Sequence, residues 1–159
     1  MLRLTFLLAA ALATAPGPFA PLAVYNGTWI VHAQHSFTGN PGPDTLINRC
    51  TTGTAFFTCE QIVNGKPTAL VIFTLSKEPG KYDVDNVLPN GYASSNTDLY
   101  VAGDHWTFLT RAAKPGDKQY RTENIFKGPD AIHFEQFEST DDAKTWTKTN
   151  EGDESRQRP

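Results

Sequence analysis

The sequence lacks Gly-x-Ser-x-Gly, a phosphate-cradling P-loop and a dinucleotide glycine fingerprint. The usual marks of a serine hydrolase, a nucleotide-dependent enzyme or a dehydrogenase are therefore missing. No Lys/Arg cluster is present, and 14 basic against 17 acidic residues leave a net charge of −3. Nucleic acid and anionic membrane surfaces are poor partners for such a chain, because phosphate contacts require a basic footprint. No apolar run reaches the roughly 20 residues of a membrane-spanning helix. From Tyr25 onward no segment has a helical hydrophobic period. Cysteine is scarce: Cys50 and Cys59 are the only two.

What is present begins with a leader. Met1-Leu2-Arg3 gives a positive start, and the uncharged run Leu4 to Ala15 has the length of a secretory h-region. The Pro- and Gly-rich "APGPFAP" follows at once and forbids continuation as a buried helix. Residues 1–23 are read as a signal peptide, with Ala15, Ala20 or Ala23 as the cleavage point. No cysteine follows the apolar run, which disfavours a lipid anchor. The product is expected to be exported, periplasmic or secreted, and monomeric. In that setting Cys50 and Cys59 are expected to pair, two free buried thiols being the alternative. The pair requires Cα atoms within about 7 Å.

The 159 residues make a single domain the prior expectation. Short runs rich in Val, Ile, Thr and aromatics alternate with turn residues. They predict strands over Gly27–Ser36, Ala55–Val63, Ala69–Ser76, Lys81–Leu88, Asp98–Ala102, Trp106–Arg111, Gln119–Lys127, Ala131–Ser139 and Thr145–Glu151. Asn64-Gly65 and Asn90-Gly91 stand at hairpin positions, where both turn residues tolerate φ > 0. Hairpin-length connections make sequential strands antiparallel neighbours. A long meander leaves two bare edges unless it closes into a barrel. The only long connection, Phe37 to Gly53, is expected to fold over one end as a lid. The expected architecture is an all-β, single antiparallel up-and-down barrel of about 8–10 strands over residues 24–152, with 153–159 as a polar tail. A two-sheet sandwich is the competitor.

Gly27-Thr28-Trp29 opens the first strand and resembles the Gly-x-Trp that opens lipocalins and related calycin barrels. The resemblance implies that Trp29 sits inside one end of the barrel and that an arginine from the last strand or beyond, here Arg156, packs over it. "CEQIVNGKPTALVIFTL", "DLYVAGDHWTFLTR" and "IHFEQFESTDDAKTW", in that order, resemble small exported bacterial lipocalin-like proteins of uncharacterised function. That likeness implies a fold and no activity.

"STDDAKTW", Ser139 to Trp146, resembles the Asp-box Ser-x-Asp-x-Gly-x-Thr-Trp of sialidases and related propellers. A propeller repeats its blade at least four times, and this stretch occurs once, so it is read as a turn device. Ala143 stands where the pattern has Gly, and φ > 0 would be strained there. His32 and His35 lie on opposite faces of a strand and cannot chelate one metal. His133 and Glu135 share a face and are the candidates for proton transfer or ligand orientation, with Ile132 and Phe134 on the other face. Glu135 and Glu138 lie on opposite faces and make no glycosidase pair.

Trp29, Phe57, Phe73, Trp106, Phe108, Tyr120 and Phe126 are expected on the inner wall, with Thr110, Thr122 and Asn124 as polar points. They either line a pocket or fill the lumen. The leading expectation is an exported barrel that binds or carries a small, largely apolar ligand through Trp29, Phe73, Trp106, Phe108, Tyr120 and His133, without metal or cofactor. An enzyme or haem protein using His133 and Glu135, and a filled interaction module, are the alternatives.

Overall fold

The computed structural model describes residues 17–39 and 41–158. The apolar core of the proposed leader lies outside them. A short 3-10 helix (Ala20–Tyr25) precedes ten strands: β1 Gly27–Ala33, β2 Asp44–Thr52, β3 Phe56–Val63, β4 Lys66–Leu75, β5 Lys81–Val87, β6 Ala93–Ala102, β7 His105–Thr110, β8 Gln119–Phe126, β9 Ala131–Ser139 and β10 Thr147–Gln157. Each strand pairs antiparallel with its sequence neighbour, and β1 also pairs with β10, so the sheet is a closed barrel. Closure leaves no edge strand. A sandwich is excluded.

The Asn64-Gly65 turn joins β3 to β4 with both residues at positive φ, 48° and 77°, as the sequence demanded. Two segments depart from expectation. The supposed lid from Phe37 to Gly53 is half strand, because β2 occupies Asp44–Thr52. Of the supposed tail, residues 153–157 are the second half of β10, paired with both β1 and β9. One physical reason underlies both departures. Their buried or inward positions carry Asp44, Asn48, Glu154 and Arg156 rather than the apolar residues that mark a strand face.

The remaining loop before β2 is tied down by Asp44. Its carboxylate accepts hydrogen bonds from Ser36 Oγ, Phe37 N, Thr38 Oγ1 and Asn64 Nδ2. Burial alone would raise this carboxyl, but those donors outweigh it and hold Asp44 below the usual carboxylate range. Phe37 is thereby set against Phe134, ring centres 5.7 Å apart.

Residues 17–25 stopper the opposite end. Phe19, Leu22 and Tyr25 are buried in the core with Trp29, Trp106, Tyr82, Leu99 and Ile132. The Tyr82 hydroxyl donates to the Pro18 carbonyl at 2.7 Å. The folded unit thus starts before residue 24, inside the stretch read as leader. Its apolar residues bury against the barrel end rather than standing apart from it. Trp29 is fully buried, and its indole N–H donates to the Tyr25 carbonyl at 3.1 Å. The Arg156 guanidinium lies over its ring, 4.3 Å from the centroid.

Candidate functional site

Above this stopper the barrel encloses a cavity of about 220 Å³. Leu46, Val71, Phe73, Val84 and Phe108 form its apolar lining, and the Tyr25 ring belongs to its boundary. Cys59 also borders it, joined by a disulfide to Cys50, its cross-strand partner on β2. The wall therefore carries a covalent link where β2 and β3 meet.

The polar lining is Asn48, Gln61, Asn86, Thr97, Asn124 and Glu154. Asn124 Nδ2 donates to the Tyr25 hydroxyl oxygen at 3.0 Å. Burial pushes the Tyr25 phenol well above its ordinary value, so it stays neutral. Asn48 Oδ1 is buried without a hydrogen-bond partner among the described residues. Glu154 is also without one: among the described residues no hydrogen bond or ion pair reaches its carboxyl, and burial pushes its pKa up to about 7. A carboxyl with that value exchanges its proton near neutral pH.

The residues expected to contact a ligand divide by depth and face. Phe73, Phe108 and Asn124 do line the cavity. Trp29 and Trp106 lie below it, packed into the stoppered end. Tyr120 is 52% exposed. His133 and Glu135 sit on the outer wall, because Ile132 and Phe134 take the buried face of β9. His133 Nδ1 is 3.0 Å from Asp153, and Glu135 is bridged by Lys148 Nζ at 2.5 Å. A haem or reaction in the lumen therefore receives nothing from that pair, and no histidine borders the cavity.

His133, Glu135 and Glu151 bring ligand-type atoms within 4.8 Å of one another. The Lys148 ammonium already stands between the two carboxylates, 2.5 and 2.8 Å from them. Its hydrogen bond is the main cause that holds Glu135 below the usual carboxylate range.

The Asp-box-like stretch is a turn. Asp141 accepts from the Thr145 hydroxyl and backbone N–H and from Ser139, which pulls its pKa down to about 2. Asp142 and Ala143 both adopt positive φ, 59° and 61°. Trp146 is half-buried under the Arg121 guanidinium, which also covers Phe137.

Tyr25, Asn48, Gln61, Asn86, Thr97 and Glu154 were not visible as site residues in the sequence. The one signal for Glu154 was alternation: Gly152, Glu154 and Arg156 fall on one face of a strand that reads as a charged tail.

No family model and no curated protein matches this chain. Among solved structures it is similar to Rv2717c from M. tuberculosis, with a TM-score of 0.54 and 15% identity over 92% of this chain and 100% of that one. At that identity the likeness establishes the fold alone.

Proposed function

We propose that this protein is an exported barrel that holds a small molecule in its lumen, above the 3-10 stopper. The observation that carries this reading is the cavity of about 220 Å³ with an unpaired Glu154 in its wall. Glu154 is half-buried, and its carboxyl, without a partner among the described residues, is left facing the cavity, where a bound group could meet it. Supporting apolar surface comes from Val71, Phe73, Val84 and Phe108. Desolvation of the ligand body supplies affinity, and the polar side chains orient it.

Export is part of the proposal. The Cys50–Cys59 disulfide suggests an oxidising environment, and the leader reading agrees with it. Among the cleavage points considered, Ala15 alone leaves Pro18, Phe19 and Leu22 in the mature chain, where they pack or bond.

Native mass spectrometry of protein recovered from its exporting host tests the reading. A retained small molecule, lost when Val84→Trp fills the lumen, is the expected result. A ligand retained equally by that variant would end the proposal. Glu154 also supports a second reading, as a general acid or base near neutral pH. There, Glu154→Gln would abolish turnover while the ligand still bound.

A further inference from the structure

One carboxyl, that of Glu154, lines the lumen. In the closed strand order β10 and β5 lie five places apart around a ring of ten, so they face each other across the barrel. Glu154 on β10 therefore faces β5, which lines the cavity with Val84 and Asn86, and Val71 and Phe73 stand beside it on β4. Asn48 on β2 is separated from β10 by β1, where it pairs with Gly27 and Glu154 with Val31, four residues along the strand. Asn48 Oδ1 is buried without a partner, and no hydrogen bond reaches the side chains of Gln61, Asn86, Thr97 or Glu154 among the described residues; Glu154 is the one carboxyl in that lining. An acceptor needs a donor, and a buried carboxyl gains most from a cationic one.

Neighbouring groups do not neutralise Glu154. Its cross-strand partners are Val31 on β1 and Ile132 on β9. Tyr25 of the stopper is a neutral phenol that already accepts from Asn124. Asp44, opposite Val31 on β2, is another acid, with its oxygens engaged by the loop. Arg156, two residues along β10, gives its N–H groups to the carbonyls of Val24, Asn26 and Pro129. Among the described residues, this cation on the inner face of β10 is spent at the stoppered end.

Resting on the lumenal-binding reading, we infer that the ligand is a compact amine or amidine, its protonated nitrogen at Glu154 and its apolar body against Val71, Phe73 and Val84. The cavity suits one ring or a short branched chain rather than a long acyl tail.

A matched probe series decides it: benzylamine, benzyl alcohol and benzoate, titrated at millimolar concentration and followed by backbone-amide NMR. At about pH 8 benzylamine is expected to bind at least about tenfold more tightly than benzyl alcohol, the value of one charge-assisted hydrogen bond, and benzoate weakest. The preference should shrink as pH falls below Glu154's titration, and Glu154→Gln should remove it. Benzylamine binding no tighter than benzyl alcohol, or a preference that survives Glu154→Gln, would overturn the amine assignment. The lumen reading would still stand if the shifts map to cavity residues and vanish in Val84→Trp, or in Val84→Phe should the larger change prevent folding. Shifts that no probe produces at lumenal residues, or that outlast the filling variant, would overturn both.

Discussion

The Arg156 guanidinium carbon lies 4.3 Å from the centre of the fully buried Trp29 ring. The same side chain donates to three backbone carbonyls, those of Val24, Asn26 and Pro129. It ties the last strand, the stopper and the β8–β9 turn together over one indole. Gly27 makes the arrangement possible. A Cβ there would come within 2.6 Å of Arg156 Nη1, and its φ is 132°.

Removing that clamp is expected to be costly. Arg156→Ala loses a cation–π contact and charge-assisted bonds, a loss of about 2–4 kcal/mol in all. Arg156→Lys, unable to reach several carbonyls at once, should recover less than half. Gly27→Ala should destabilise by more than about 1 kcal/mol through the same contact and its backbone. Urea unfolding followed by tryptophan fluorescence measures all three.

Glu154 makes stability depend on pH in an unusual direction. Its folded pKa of about 7 stands above the ordinary glutamate value of 4.5, so its neutral form is favoured in the fold. The stability it permits is complete below about pH 4.5 and lost as pH rises through about 7. The loss is on the order of 3 kcal/mol. Apo protein should accordingly be less stable at pH 8 than at pH 6, and Glu154→Gln should flatten that slope. Lowered carboxyls such as Asp141 act in a separate window, losing their contribution as pH falls from about 4 toward about 2. Denaturant midpoints across the range separate the two.

The stopper is part of the folded unit. Leu22→Ala should cost about 2–5 kcal/mol, as for other fully buried leucines. If the leader is removed in the host, intact-mass measurement should find the mature chain beginning upstream of Pro18. A mature chain starting at Pro21 or Val24 would lack Phe19, and its folding would need another explanation.

The disulfide closes a short loop, a separation of nine residues. Cys50→Ser with Cys59→Ser should cost about 2–3 kcal/mol on the chain-entropy estimate. Thiol titration of the denatured, unreduced protein should find no free cysteine. Reduction of the native protein should loosen the cavity wall at Cys59, readable as altered probe binding.

An all-β meander could be read from the residues alone. Period-two alternation, Asn-Gly turns and hairpin spacing each follow from local sterics, and Ala131–Ser139 and Gln119–Phe126 needed nothing more. Gly27 and Trp29 also announced the buried end of β1. The lumen came only with closure of the sheet. β2 and the end of β10 are strands because neighbours on both sides supply their ladder bonds, although Asp44, Asn48, Glu154 and Arg156 stand where alternation expects apolar residues. His133 faces outward and Glu154 inward for the same reason. A strand's two faces are equivalent until closure curls one of them around the cavity, and a charged residue carries no local mark of which side it will occupy.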